Sequence, residues 1–240
     1  MDATSRGRVR VERTAKRVRT YLGGRAVADT TRALMVWESP HYPTYYFPLE
    51  DVERDALKPT GETRRSPSRG EAAVHTLAPG GGEALVYGDD APLEPVRGHV
   101  RFDWDAMDAW FEEDEEVYVH ARDPYTRVDI LPSSRHVRVE VDGVTVADSR
   151  NARVLFETGL RPRYYLPKTD VRLDLLEPTA TVTRCPYKGT AEYWSVNGHE
   201  DLAWSYRTPL PESERVAGLI AFYNEKLDVY VDGVLEDRAG

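Results

Sequence analysis

The sequence predicts a mostly β protein built from two tandem antiparallel β domains with a few short helices. Three observations support this fold class. Many segments alternate apolar and polar residues, glycine-containing turns separate several of them, and the second half of the chain repeats the first. Alternation with a period of two is typical of strands that bury one face. A length of 240 residues suits one large or two small domains.

Two β-hairpins are the clearest local signals. The first has an alternating run on each side of Gly23-Gly24, and the second has the same pattern around Asp142-Gly143. Two-residue hairpin turns require positive φ angles, which glycine and aspartate adopt at low cost. We therefore expect hairpins over residues 18–29 and 137–148.

The two halves align at a constant offset of 119 residues. Residues 18–72 and 137–191 share 22 identities in 55 positions, which indicates a tandem duplication. We place the first repeat at residues 17–126 and the second at 127–240, because Asp-Pro and Pro-Ser-Ser interrupt the pattern near this boundary.

The predicted helices are short. One is expected after Pro48 and one after Pro167. Met107, Trp110 and Phe111 have helical spacing, so residues 103–116 are expected to form a helical insert whose glutamates face the solvent. This insert would give the first repeat about eight extra residues before Val117, as the shift of the alignment offset suggests.

Composition limits the class of partner. A net charge of -9 makes nucleic acid an improbable partner and argues against binding to anionic membranes. No apolar run reaches the roughly 18 residues that a membrane-spanning helix needs. The first residues lack the apolar segment of a signal peptide. These features predict a cytoplasmic protein, and the duplication is compatible with a homo-oligomer because a symmetric interface is easily inherited.

Cysteine and histidine usage indicates neither a metal site nor a cofactor. The one cysteine excludes an intrachain disulfide and a multi-cysteine zinc site. The six histidines show no metal-ligand spacing. The basic residues 1–19 are predicted to be a frayed, solvated terminus rather than an arm for an acidic partner, because the rest of the chain is acidic.

The densest group of unusual residues is the motif Cys-Pro-Tyr-Lys-Gly at residues 185–189. Its Lys188 matches Arg69 of the first repeat, and Glu157 matches Glu38, so both charges recur. A charge near a core needs a partner, because an unpaired buried charge is costly. Two interpretations stay open: a polar ligand pocket with tyrosine walls, or a structural ion pair with the tyrosines in the core. The candidate ligand-binding residues are Glu157, Arg163, Tyr164, Tyr165, Cys185, Lys188 and Tyr193.

Cys185 is the candidate nucleophile, because the cations Arg184 and Lys188 are close enough in sequence to lower the pKa of a thiol. The alternative is a small buried residue, which is the usual behaviour of a free cysteine. The absence of a histidine from the motif favours that alternative. In the first repeat Ser66 and Ser68 replace the cysteine and the tyrosine of the motif, so we expect any working site in the second repeat.

Residues 157–167, the Cys-Pro-Tyr-Lys-Gly motif and residues 203–206 and 221–223 carry a family resemblance. The second repeat resembles the family catalogued as domain of unknown function 427, and the first resembles it with a degenerate motif. The resemblance implies a β-tent or Mss4-like roll. Some members of that group bind zinc through cysteine pairs or reduce methionine sulfoxide with cysteine, but this chain lacks the pairs. The family also carries a nucleotidyltransferase-like label, which no metal-binding aspartate pair or phosphate loop supports here.

The leading hypothesis is a protein that binds a small polar or anionic ligand in a pocket of the second repeat. The competing hypotheses are a non-catalytic interaction or scaffold module, favoured by the degenerate first motif, and a nucleotidyltransferase-like enzyme, as the family label suggests. The sequence assigns no reaction.

Overall fold

The computed structural model describes residues 9–238. The chain forms two compact units that divide between Asp123 and Pro124. Each unit consists of antiparallel strands and a few short 3-10 helices. The predicted class, mostly β with two tandem antiparallel domains, is confirmed.

The first repeat contains a seven-stranded and a four-stranded sheet, ordered β1-β4-β5-β9-β8-β7-β6 and β11-β10-β2-β3. Its strands are β1 (Arg10–Arg13), β2 (Val18–Leu22), β3 (Arg25–Thr30), β4 (Leu34–Trp37), β5 (Thr44–Pro48), β6 (Leu57–Ser66), β7 (Gly70–Leu77), β8 (Glu83–Tyr87), β9 (His99–Phe102), β10 (Ala109–Glu112) and β11 (Glu115–Glu116). Its 3-10 helices are Leu49–Asp51, Arg54–Ala56, Glu94–Val96 and Trp104–Ala106.

The second repeat has the same topology, with sheets ordered β12-β15-β16-β20-β19-β18-β17 and β14-β13-β21-β22. Its strands are β12 (Val128–Ser133), β13 (Val137–Val141), β14 (Val144–Ser149), β15 (Ala152–Glu157), β16 (Arg163–Leu166), β17 (Leu176–Cys185), β18 (Gly189–Val196), β19 (His199–Ser205), β20 (Ile220–Phe222), β21 (Asp228–Val231) and β22 (Val234–Leu235). Its 3-10 helices are Lys168–Asp170, Leu173–Leu175 and Pro211–Val216. The matching order of the strands confirms the duplication.

Both predicted hairpins are present, as β2–β3 and β13–β14. Asp142 and Gly143 have φ angles of 51° and 77°, the left-handed values that a tight hairpin turn requires. The helices expected after Pro48 and Pro167 are also present, each as two single 3-10 turns.

The large sheet of each repeat buries apolar residues on both faces. In the second repeat one face packs against the β13–β14 hairpin and β21, with Val139, Val154 and Phe222 in that cluster. The opposite face carries a separate cluster that includes Tyr165 and Trp204. Because side chains alternate along a strand, neighbouring residues of one strand belong to different clusters.

The predicted helical insert at 103–116 is wrong. Only Trp104–Ala106 forms a helical turn, and β10 pairs with β2 as β21 pairs with β13. Trp110 is buried in the core, and burial along β10 alternates with a period of two. Strand pairing therefore overrides the helical spacing of three apolar residues. The strands also correspond without the eight extra residues that the sequence alignment suggested.

The expected solvated face of the insert is wrong for one residue. Glu112 is buried and accepts a hydrogen bond of 2.7 Å from the hydroxyl of Tyr45. Lys16 forms an ion pair with the same carboxylate at 2.5 Å. A buried carboxylate with two such donors is a structural element of the fold.

Regular secondary structure begins closer to the N-terminus than the sequence predicted. Residues 1–8 lie outside the described part of the chain, but Arg10–Arg13 form β1 and pair with β4. The equivalent strand of the second repeat, β12, pairs with β15 in the same way. The expected frayed terminus is therefore wrong for residues 10–13, because the edge of the large sheet offers them a partner strand.

Candidate functional site

The candidate residues of the second repeat surround one face of its large sheet. Strand pairing places Tyr193 opposite Trp204, Trp204 opposite Ala221, and Ala221 opposite Tyr165. The small side chain of Ala221 leaves room between the larger rings. The indole nitrogen of Trp204 donates a hydrogen bond of 3.2 Å to the hydroxyl of Tyr165. This row is the centre of the candidate site.

The Cys-Pro-Tyr-Lys-Gly turn brings Lys188 into an ion pair with Glu157, the last residue of β15. The two side chains are only 11% and 9% exposed. The pairing that the sequence suggested is therefore present and shielded from solvent. Removing one member of such a buried pair strongly destabilises the folded protein, because the charge of the other member is left uncompensated.

Gly189 and the segment after β19 hold this turn in place. The backbone N–H of Leu210 donates a hydrogen bond of 3.1 Å to the carbonyl of Lys188. Gly189 has a φ angle of +94°, and a Cβ there would stand 3.4 Å from the nitrogen of Leu210. The hydroxyl of Ser213 donates to the carbonyl of Tyr187. These contacts fix the backbone that carries the lysine.

A second polar group lies at the start of β16. The guanidinium of Arg163 donates a hydrogen bond of 2.6 Å to Glu225, and it lies 5.6 Å from the ring of Trp204 and 5.8 Å from the ring of Tyr223. The ring of Tyr223 is half-buried and contacts Trp204 at a centroid distance of 4.6 Å. The hydroxyl of Tyr193 lies 3.5 Å from that of Tyr223. This end of the cluster is the more accessible one.

Burial raises the pKa of Tyr165 and Tyr206, and the nearby charge of Glu157 acts in the same direction on both. Burial also raises the pKa of Tyr223, with a further contribution from Tyr193. The three phenols therefore stay protonated at neutral pH and serve as hydrogen-bond donors or acceptors rather than bases.

Cys185 lies at the end of β17, half-buried and a free thiol. Cys185 lies near Tyr165 and Tyr206, where it adds to the effect of burial in raising the pKa of both phenols. The structure thus places the cysteine beside the cluster. Its role as a nucleophile stays a prediction.

Tyr164 does not belong with the other candidates. It points to the opposite face of the sheet, within the cluster that packs against the β13–β14 hairpin. Its hydroxyl donates a hydrogen bond of 2.5 Å to Glu236. Alternation along β16 explains the separation, because Tyr164 and Tyr165 necessarily face opposite sides.

Three aromatic residues of the cluster were not among the sequence-based candidates: Trp204, Tyr206 and Tyr223. Trp204 and Tyr206 alternate along the end of β19 and the residue after it, so their spacing of two was a usable signal. Tyr223 follows β20 directly and had no such signal. Knowing which face of β19 meets Tyr165 required the strand register.

The equivalent position of the first repeat keeps the charges but only two of the rings, Tyr46 and Tyr87, which match Tyr165 and Tyr206. Glu38 lies 3.6 Å from Arg69 and 3.5 Å from Arg101, and it accepts a hydrogen bond of 2.5 Å from Tyr46. Arg101 stands where the second repeat has Ala221, and Leu85 stands where it has Trp204. The first site is therefore a different structure with conserved charge signs.

Within residues 9–238, no group of three or more His, Cys, Asp or Glu side chains is arranged to hold a metal ion. No helix in the same range is long and apolar enough to cross a membrane.

The sequence profile of the domain of unknown function 427 matches residues 10–113 and again residues 129–233. The chain belongs to this family. The two DUF427 matches begin at β1 and β12, the equivalent edge strands of the two repeats, and end at the turns after β10 and β21. Both repeats are therefore DUF427 domains. No curated protein matches the chain.

Proposed function

We propose that the second repeat binds a small polar molecule at the ring cluster beside the Glu157–Lys188 pair. The observation that carries this proposal is a shielded ion pair and a row of aromatic side chains on the same sheet face. Small-molecule sites combine mainly apolar and aromatic walls with a few fixed polar groups. The half-buried residues Cys185, Arg163 and Tyr223 supply the accessible edge of such a site.

The charges favour a ligand that both donates and accepts hydrogen bonds. Lys188 is already neutralised by Glu157, and Arg163 by Glu225, so neither cation is free for a simple anion. An anionic ligand would have to compete with a protein carboxylate for its cation. A hydroxyl or amide group can bridge donor and acceptor, while a planar body would stack on Tyr223.

A thermal-shift screen of the full chain against polyols and amides tests this proposal, with hydroxy acids as the anionic comparison. A ligand at a hundred times its Kd stabilises the folded state by about 2.7 kcal/mol, which is readily measured as a rise in Tm. We expect at least one polyol or amide to raise the Tm of the wild type. The same compound should not raise the Tm of the Tyr223→Leu variant.

Tyr230→Leu is the matched control. Tyr230 is also half-buried and contacts an arginine, with the Arg138 guanidinium 4.5 Å from its ring, but it lies on the four-stranded sheet. The control should keep the full ligand response. A screen without any shift, or equal losses in both variants, would contradict the proposal.

A second candidate function is self-association through the edge of the large sheet. Leu131 on β12 and Phe156 on β15 are each 44% exposed, and Leu160 is 64% exposed. Exposed apolar residues that lie together mark interaction surfaces. Sedimentation velocity checks this candidate: the wild type should form a dimer that Phe156→Ser dissociates, and a wild-type monomer at all concentrations would refute it. Among the described residues, no specific contact favours nucleotidyl transfer.

A further inference from the structure

The first repeat contains a groove of about 880 Å³, which is separate from the candidate site of the second repeat. It lies where β5 ends at Pro48 and β9 begins at His99, next to the helical turns Leu49–Asp51 and Arg54–Ala56. Its volume falls in the range of about 300–1,000 Å³ that is typical of small-molecule sites. Every residue that lines it comes from the first repeat.

The groove concentrates positive charge in an acidic protein. Four arginines line it, together with two histidines, whereas Glu50 is its only carboxylate among the described residues. The arginines are Arg13, Arg32, Arg54 and Arg97. Since the chain as a whole has a net charge of -9, this is a local reversal of sign. Such a concave basic surface raises the local concentration of anions.

Most of these arginines are available to a ligand. Arg13 and Arg54 are exposed, and neither has an ion-pair partner within residues 9–238. Arg97 uses its Nε atom to donate a hydrogen bond of 2.8 Å to the carbonyl of Ala91. Only Arg32 is committed, because it pairs with Glu50 at 2.6 Å and with Asp51 at 2.5 Å.

The fold does not require arginine at these positions. The second repeat has the same topology but has uncharged residues at the four equivalent places. These residues are Pro132, Asn151, Leu173 and Ala217. The cations of the second repeat in this region lie at other positions, namely Arg150, Arg153 and Lys168. The arrangement of the groove arginines is therefore a property of the first repeat alone.

The remaining lining is largely apolar, and it includes Leu34, Leu49, Val52 and Leu57. Guanidinium groups bind phosphate oxygens in a bidentate way, and apolar walls accommodate a carbon skeleton. We infer that this groove is a binding site for a small phosphorylated organic molecule.

Isothermal titration calorimetry of the full chain tests this inference with defined probes. Fructose 1,6-bisphosphate and ribose 5-phosphate are compared with inorganic phosphate and with ribose, which separate the contributions of the phosphate and of the carbon skeleton. The sugar phosphates should bind at least tenfold more tightly than either fragment. If neither sugar phosphate binds, or if inorganic phosphate binds as tightly as both, the inference is overturned.

The variant Arg13→Gln/Arg54→Gln assigns any binding to the groove. Each lost arginine should weaken binding about tenfold, because charge-assisted hydrogen bonds to phosphate are among the stronger polar contacts. Both residues are exposed and unpaired within the described chain, so the variant should fold normally. A circular dichroism melt checks that point.

Arg25→Gln/Arg65→Gln is the matched control. Both of these arginines are exposed, belong to the first repeat and lie outside the groove, so the control removes the same charge. Its affinity should stay within twofold of the wild type. Equal losses in the two double variants would show a general charge effect and overturn the site. Tyr223→Leu should leave sugar-phosphate binding unchanged, which separates this inference from the proposed function of the second repeat.

Discussion

The two repeats compensate the charge of an equivalent glutamate with different partners. In the second, Glu157 pairs with Lys188 beside a cluster of aromatic rings. In the first, Glu38 is shared by Arg69, Arg101 and the hydroxyl of Tyr46. The difference teaches that each repeat keeps a compensated carboxylate at the end of its fourth strand and a buried tyrosine, Tyr46 or Tyr165, near it. The rings of Tyr193, Trp204 and Tyr223 are present in the second repeat alone.

The largest expected effect is at the single ion pair. Lys188→Met should destabilise the protein by about 3–5 kcal/mol, because it leaves Glu157 shielded from solvent and without a cation. Adding Glu157→Gln should restore part of the loss. Urea unfolding of the two single variants and the double variant measures the coupling between the residues. A coupling near zero would show that the pair is energetically irrelevant and that the comparison of the repeats fails.

The next effect is expected in the ring cluster. Trp204→Leu introduces the residue of the first repeat and should cost about 2–3 kcal/mol, because the smaller side chain leaves a cavity among three tyrosines. It also removes the hydrogen bond to Tyr165. Trp194→Leu, at a half-buried tryptophan on the opposite face, should cost less. A larger loss for Trp194→Leu in chemical unfolding would mean that the ring cluster adds little to stability.

A smaller effect is expected when a cation is removed from the first repeat. Arg69→Met should cost about 1 kcal/mol, because Arg101 remains beside Glu38 and both pairs are partly solvated. The same unfolding assay compares it directly with Lys188→Met. Equal costs for the two variants would mean that the second cation of the first repeat offers no compensation.

The smallest effect concerns pH. Burial lowers the pKa of His99, and Arg32 and Arg13 act in the same direction, while the carbonyl of Arg97 and the carboxylate of Asp51 oppose them. The unfolded chain therefore binds a proton at a higher pH than the folded chain. The contribution of His99 to stability is complete above about pH 6.5, the ordinary pKa of a histidine, and is lost as the pH falls from there through the lower pKa of the folded chain.

His99→Leu tests this sign, because the second repeat has Leu219 at the equivalent position. Unfolding free energies at pH 7.5 and pH 5.5 should differ less in the variant than in the wild type. An unchanged or steeper pH dependence in the variant would show that His99 is not the responsible group.

The sequence predicted the fold better than the site. The duplication was visible because many identities recur at one offset, and the hairpins because Gly23-Gly24 and Asp142-Gly143 suit only a few turns. The Glu157–Lys188 contact was predictable because both charges recur. The prediction of a helical insert failed because a turn followed by a strand can also produce the spacing of Met107, Trp110 and Phe111.

The remaining site residues depend on register and on contacts between distant strands. Nothing local in the sequence distinguishes Tyr164 from Tyr165, yet pairing with the neighbouring strands sends them to opposite faces. Trp204 on β19 reaches Tyr165 on β16 across β20, the strand that lies between them. The arginines of the groove come from separate segments, and a net charge of -9 conceals them in the composition.

The tyrosine on the inner face of each repeat has a further consequence for how the halves diverged. Tyr45 donates to Glu112 and Tyr164 to Glu236, but these two glutamates are not equivalent: strand pairing matches Glu112 with Val231. The tyrosine donor therefore has the same position in both repeats, whereas the glutamate acceptor has a different position in each. A phenol has a single proton to give, so a repeat with both acceptors would hold one carboxylate without that donor. Segments of the two halves are for this reason not interchangeable one strand at a time, and a working chimera must exchange the tyrosine's acceptor together with the strand that carries it.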